Sequence, residues 1–245
     1  MQMMLSNGTS LDAVETGCRT CEEKKCDESI GWGDRPNGNG KTTLDALIMD
    51  GRTMSVGAVA SLHRIKNAIG VARAVMRYSL HCNISIDEWN QWKQGTCQPN
   101  HRKNVPTDPT TNCEPYKAFS SAEIGDSTRY HRLSWDEHDT IGMIALDPNG
   151  DMEVGMSTNG LSFKISGPVS DSAVIGNGAY VDNEGDGACA TGNGDIMRRF
   201  VPSYHVVQLM RQGESPSDAC TDVIQRITKY YPDFDGAVLA LSKDV

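Results

Sequence analysis

The chain has 245 residues, of which 38% are hydrophobic and 22% charged, with 23 Lys and Arg against 32 Asp and Glu and a formal net charge of −9. Such a chain can bury one good core as a single globular domain. The acidic balance excludes a nucleic-acid surface, which needs clustered Lys and Arg. No apolar run reaches the roughly 18 residues of a membrane span.

Leu11, Val14 and Cys18 recur at helical spacing after Thr9 and Ser10, so Ser10 to Glu23 reads as a helix. A Gly/Pro/Asn-rich loop over 32–41 leads into Thr43–Met49 and Thr53–Ala60, a hairpin around Asp50-Gly51. Ile65 to Tyr78 reads as an amphipathic helix. Residues 95–139 are polar, carry Pro106, Pro109 and Pro115 and hold no sustained period; a loop this long in a compact domain is usually functional or mobile. Order returns at Thr140. Ile141–Ala145 and Met152–Ser157 form a second hairpin around Asp147-Pro148-Asn149-Gly150, and Phe163-Lys164-Ile165 suggests a further strand. Glycine is dense over 176–194. Two helices follow, Asp195–Gln212 and Ser217–Tyr230, the latter capped at Ser215-Pro216-Ser217, and then a strand over Ala237–Leu241. This order suggests a layered α+β domain.

Several motifs fail on inspection. Gly40-Lys41-Thr42-Thr43 resembles the end of a phosphate-binding loop, but Arg35 stands where that loop wants glycine, and a strand follows where it wants a helix. Cys18, Cys21 and Cys26 offer either a short Cys21–Cys26 disulfide or part of a zinc site lacking a fourth ligand at matching spacing. Eight cysteines and the sequons Asn7-Gly8-Thr9 and Asn83-Ile84-Ser85 point to a secretory or lysosomal route. Met1 to Ser6 is too short for a signal-peptide core, so the expectation is of a chain begun short of its targeting segment.

Three segments stand out together: His138-Asp139-Thr140-Ile141-Gly142-Met143, Ser157-Thr158-Asn159-Gly160 and Thr191-Gly192-Asn193-Gly194-Asp195. In this order and spacing, with Leu44–Gly51, Val56–Val59 and Arg64–Arg73, the chain resembles the glycosylasparaginases (aspartylglucosaminidases) from about Ser10 to Val238. The resemblance implies an N-terminal-nucleophile hydrolase with an αββα sandwich of four layers, here incomplete at both ends. Residues 1–139 would become an α chain and 140–245 a β chain through autocatalytic cleavage between Asp139 and Thr140, within one domain. The residue types support that chemistry. A threonine hydroxyl is a poor nucleophile until a base takes its proton, and a chain-terminal threonine carries such a base in its own α-amine, with a pKa of about 8.

By the same resemblance, Thr158 hydrogen-bonds the nucleophile, and Thr191 and Gly192 stabilise the oxyanion. Asp171 holds the substrate's α-amino group, and Ser29, Asn193 and Gly194 line the pocket. Disulfides join Cys21 to Cys26 and Cys97 to Cys113. The implied substrate is a glycosylated asparagine, with no metal or organic cofactor, no nucleic-acid or membrane partner, an (αβ)2 assembly and a lysosomal location. The chain also departs from the family. Pro168 stands where an arginine clamps the substrate carboxylate, at a cost of roughly 2–5 kcal/mol, with Arg35 as a possible substitute. Cys220 matches a disulfide cysteine whose partner position is Ala240. The family's outermost strands fall outside the chain, which would leave sheet edges unpaired. Two alternatives stay open: an asparaginase or isoaspartyl peptidase with the same nucleophile, and a catalytically inactive remnant.

Overall fold

The computed structural model describes residues 8–26, 30–32, 35–78, 83–85, 140–161, 164 and 167–244. Helix α1 (Ser10–Lys24) starts at Thr9, whose hydroxyl accepts from the Asp12 N–H at 3.1 Å while Asp12 accepts from the Thr9 N–H at 3.1 Å. This reciprocal box satisfies donors that a helix start leaves orphaned. The helix ends at Lys25 in the left-handed region, and a disulfide joins Cys21 to Cys26 with their Cα atoms 5.0 Å apart. Of the two readings of these cysteines the disulfide holds; Cys18 is a buried free thiol. Cys97 and Cys113 lie outside the described residues.

Strands β1 (Leu44–Asp50) and β2 (Val56–Leu62) form the first hairpin, and α2 (Ala68–Tyr78) packs against it. A short β3 (Asn83–Ser85) runs parallel to β2. The second hairpin is β4 (Thr140–Leu146) with β5 (Met152–Thr158). Asp147 accepts from the N–H groups of Asn149 and Asp151 at 2.8 and 3.0 Å and so fixes its turn. β5 also pairs with β1, giving a five-stranded sheet in the order β3-β2-β1-β5-β4.

A second sheet of three antiparallel strands contains β6 (Ala179–Val181), β7 (Gly187–Gly192) and β8 (Gly236–Leu241). The glycine-dense stretch over 176–194 thus holds two strands that its composition does not announce. The helix expected over Asp195–Gln212 is two helices, α3 (Gly194–Met197) and α4 (Pro202–Arg211). Pro202 is the reason. Its ring disfavours the α conformation in the residue before it, and Val201 takes φ 51°, after which Pro202 opens α4. Helix α5 (Pro216–Thr228) begins where Ser215 accepts from the Asp218 N–H at 3.2 Å, the cap that the sequence suggests.

Strand alternation sorts the core. Leu44, Ala46 and Ile48 of β1 join Val14, Cys18, Ile69 and Ala72 of α1 and α2. Leu47 and Met49, on the other face, join Met152, Val154 and Met156 of β5 and Ala179, Val181 and Cys189 of the second sheet. A third cluster joins Ala188 of β7 to Val206, Val207, Ala219, Val223 and Ile227 of α4 and α5. Because both its faces are covered, β1 is buried along its whole length, and each fully buried Leu or Ile contributes about 1.5–3 kcal/mol. Cys220 and Ala240 both border the third cluster, Cys220 as a free thiol in apolar company. The molecule is an α+β protein.

Candidate active site

Thr140 is the first residue of β4 and Thr158 the last of β5, and the strand register sets them opposite each other. Asp45 of β1 pairs with Thr158 from the other side. Three polar residues therefore stand abreast on neighbouring strands, all on one face, since in-register residues share a face. The Thr140 hydroxyl donates to Thr158 Oγ1 at 3.1 Å, and the Gly160 N–H donates to the same oxygen at 3.0 Å. Thr158 is 1% exposed and Thr140 half-buried, so the pair is shielded on one side and open on the other.

The second sheet brings its own residues to this row. A Cβ on Gly187 would lie 2.9 Å from Met152 Sδ and 3.0 Å from Ile144 Cγ2. A Cβ on Gly142 would lie 2.9 Å from Cys189 Cβ. Moving two residues along β7 therefore moves two residues back along β4, so β7 runs toward Thr191 as β4 runs back toward Thr140. Gly192 follows at φ 139°, paired with Gly236. Any Cβ there would meet the Gly236 Cα at 2.6 Å and the Asp235 carbonyl oxygen at 2.7 Å, so only glycine fits. Asn193 caps α3, its side chain accepting from the Ile196 N–H at 3.3 Å, while its own N–H donates to the Asp235 carbonyl at 3.4 Å. Its side-chain oxygen is thereby committed to the helix start.

Asp171 lies in a 3-10 turn over Asp171–Ala173 and is buried. Burial pushes its carboxyl up to about 6, against the opposing charge of Arg198 and a hydrogen bond from Ser170. Gly194 packs directly on this carboxylate, where a Cβ would collide with Asp171 Oδ1. Asp171, Thr191, Gly192, Asn193 and Gly194 thus converge at one end of the sheets. Pro168 is exposed, and its carbonyl accepts from Ser61 Oγ at 3.3 Å. Arg35 is buried and held by interactions of its own. Ser29 and Asp139 lie outside the described residues, as do Phe163 and Ile165 of the suggested strand.

Four charged residues are not among the site residues that the sequence suggests. Asp45 is fully buried and accepts from the N–H groups of Ser61 at 2.5 Å and Ser170 at 2.9 Å, anchoring the segment that leads to Asp171. Its signal was a single carboxylate in an otherwise apolar strand, Leu-Asp-Ala-Leu-Ile-Met. Lys164 donates from Nζ to the Asn159 carbonyl at 3.0 Å; burial lowers its pKa, and the nearby Asp45 charge opposes that. Arg198 carries no sequence signal at all. Behind the row, on the α1 and α2 side, Glu22 is 2% exposed and accepts from Ser157 Oγ at 2.5 Å and from the Ile69 N–H at 3.1 Å. Burial raises its pKa, against those hydrogen bonds. Among the described residues, no group of three His, Cys, Asp or Glu side chains comes together that could hold a metal ion.

What the arrangement can do is present a hydroxyl and an acceptor that orients it, next to the buried carboxylate of Asp45 on the neighbouring strand. Comparison with known proteins agrees with that chemistry. The family model described as asparaginase matches residues 1–244. The N(4)-(beta-N-acetylglucosaminyl)-L-asparaginase of Mus musculus is 44% identical over 262 residues, covering 98% of this chain and 76% of its own length. Its Rattus norvegicus counterpart is 45% identical over 260 residues, covering 96% and 75%. A probable isoaspartyl peptidase/L-asparaginase of Arabidopsis thaliana is 41% identical over 278 residues, covering 98% and 77%. On this breadth of similarity, the chain belongs to the asparaginase family.

Proposed function

We propose that this chain is an amidohydrolase of the glycosylasparaginase type, with Thr140 as its nucleophile after cleavage between Asp139 and Thr140. The observation that carries the reading is the hydrogen bond from Thr140 Oγ1 to Thr158 Oγ1 at 3.1 Å, at the first position of β4. In the cut, Thr140 Oγ1 attacks the Asp139 carbonyl carbon, the peptide nitrogen leaves as the free α-amine, and water opens the resulting ester. A fresh α-amine then sits on the same residue as the hydroxyl, with a pKa of about 8 that leaves a useful neutral fraction near neutrality.

In hydrolysis, the amine takes the hydroxyl proton as Oγ1 attacks the side-chain amide carbon of a glycosylated asparagine. The oxyanion would form beside Thr191 and Gly192 at the end of β7, where donors directed at the developing charge would lower the barrier. The amine then passes its proton to the departing nitrogen, releasing a glycosylamine that decays to sugar and ammonia. Water hydrolyses the acyl-enzyme and frees aspartate. Asp171 receives the substrate's α-ammonium, with Ser29, Asn193 and Gly194 lining the pocket. The two sheets and their flanking helices would form the αββα sandwich as one domain of two chains, 1–139 and 140–245, assembling as (αβ)2 in the lysosome. Cys97 to Cys113 would close a second disulfide beside Cys21–Cys26.

The test is expression followed by mass spectrometry and assay of aspartate release from an asparagine–sugar substrate. Two fragments, the smaller beginning at Thr140, with aspartate release support the reading. A well-folded chain that stays uncut overturns it. A second reading, an asparaginase or isoaspartyl peptidase with the same nucleophile, draws on the similarity to the Arabidopsis protein. Faster release of aspartate from plain asparagine or a β-aspartyl peptide would favour it.

A further inference from the structure

An asparagine whose backbone is free carries an ammonium and a carboxylate on one carbon. A site for it needs an acid that is ionised and a cation side by side, neither of them tied up in an ion pair. Asp171 supplies the acid. Where the resemblance leads one to expect the cation, Pro168 has no charge to offer.

Arg198 follows α3 one turn after Gly194, its N–H donating to the Gly194 carbonyl at 3.0 Å. Positions four apart share a helix face, and Gly194 is the residue packed on the Asp171 carboxylate. Arg198 therefore rises from the same face that Asp171 touches, and its charge is felt at that carboxyl. No direct ion pair joins the two among the described residues, and Arg198 Nε is buried with no hydrogen-bond partner. A buried donor left unmade is costly, so a ligand oxygen that satisfies it gains the difference. Among the described residues, two other shielded cations are committed: Lys164 Nζ donates to the Asn159 carbonyl near Asp45, and Arg35 is held by interactions of its own.

We propose that Arg198 is the carboxylate-binding residue of this site, receiving the substrate's α-carboxylate while Asp171 receives its α-ammonium. The guanidinium would then come from the end of α3, rather than from the segment before Asp171. The assignment rests on the amidohydrolase reading for the identity of the ligand, and its test separates the two.

Calorimetric titration of the full chain with L-aspartate and with 3-aminopropanoate, which is aspartate without its α-carboxylate, reads the contact directly. Arg198→Met should weaken L-aspartate binding about 30-fold or more, the effect of losing one partner of a buried charged contact, and leave 3-aminopropanoate unchanged. Arg198→Lys should fall between, because lysine keeps the charge but not the fork. Wild-type affinity for L-aspartate in Arg198→Met overturns the proposal, as does an equal loss of both ligands or a wild-type chain that binds neither. If the wild type binds L-aspartate in an Arg198-dependent way yet releases none from an asparagine–sugar substrate, the clamp stands and the hydrolase reading falls. If it hydrolyses that substrate and Arg198→Met has the same KM, the reverse holds.

Discussion

Thr140 and Thr158 hold their hydroxyls 3.1 Å apart across the β4–β5 ladder, with Thr140 donating and Thr158 also accepting from the Gly160 N–H. The donated proton fixes the Thr140 rotamer, and with it the direction of the oxygen lone pairs. Thr158→Ala removes that acceptor and should slow both fragmentation and turnover about 10- to 100-fold, the range of one buried hydrogen bond. Thr158→Ser keeps the oxygen and should stay within a few-fold of wild type, while Thr140→Ala should remain a single chain. Time courses by gel and mass spectrometry measure this. Fragmentation of Thr158→Ala at the wild-type rate would show that the contact has no part in the chemistry.

Asp45 works one strand further in. Its carboxylate accepts from the backbone of Ser61 and of Ser170, so it joins β1 to the end of β2 and to the residue before Asp171. Asp45→Ala leaves one buried and one part-buried N–H group without their partner and should cost about 2–5 kcal/mol in stability. Asp45→Asn retains one acceptor and should cost less. Because Ser170 leads into Asp171, both variants should also raise KM. Urea midpoints check the first effect and substrate titration the second. An unchanged midpoint for Asp45→Ala would mean that water replaces the carboxylate without loss.

The same residues show what a sequence can and cannot disclose. Both hairpins of the larger sheet are legible because their strands are apolar and their turns carry Asp50-Gly51 and Asp147-Pro148-Asn149-Gly150. Strand β7, Gly-Ala-Cys-Ala-Thr-Gly, is hidden because it must be small. A side chain on Gly187 would run into Met152 and Ile144, and the residues that allow two sheets to approach so closely are poor strand formers by propensity. Thr140, Thr158 and Thr191 are legible through linear motifs, and Asp171 through the family resemblance. Asp45 shows in the sequence only as a lone carboxylate in an apolar strand and Arg198 not at all, because their meaning lies in contacts between distant segments.

Glu153 gives the protein a pH dependence remote from the threonine pair. It is 4% exposed beside Asp50, Asp147 and Asp151, and burial, opposed by a Ser10 hydrogen bond, raises its carboxyl from 4.5 to about 7, helped by those three charges. Raising the pKa of an acid in the folded state means that the fold disfavours the anion. No penalty exists below the ordinary value of 4.5; it grows as pH rises through the window and is complete above about 7. At about 1.4 kcal/mol per unit it reaches on the order of 3 kcal/mol. Burial shifts Asp171 in the same sense. The Tm should therefore rise as pH is lowered from 8 to 5. Glu153→Gln, which mimics the neutral form, should raise the Tm at pH 8 and flatten the slope; an unaltered slope would assign the dependence to other groups.

Gly194→Ala sets helix propensity against a contact. Alanine is the better helix former by about 0.8–1 kcal/mol in a helix interior, and at the first position of α3 part of that gain is available. The added methyl, however, falls on Asp171 Oδ1, and that carboxylate cannot retreat freely because its turn is pinned by Ser170, whose hydroxyl accepts from the Ser172 N–H at 3.1 Å. Overpacking of this kind costs about 1–3 kcal/mol, so the propensity gain offsets only part of it. Gly194→Ala should thus lower the urea midpoint modestly, by the equivalent of up to about 2 kcal/mol, while weakening L-aspartate binding at least about tenfold. Gly192→Ala faces both a φ of 139° and backbone atoms of Asp235 and Gly236, none of which can swing aside as a side chain can. It should lose far more stability than Gly194→Ala. Equal midpoints for the two variants would mean that β8 moves away from β7 to admit the methyl group, and that the end of β7 beside Thr140 is softer than its packing implies.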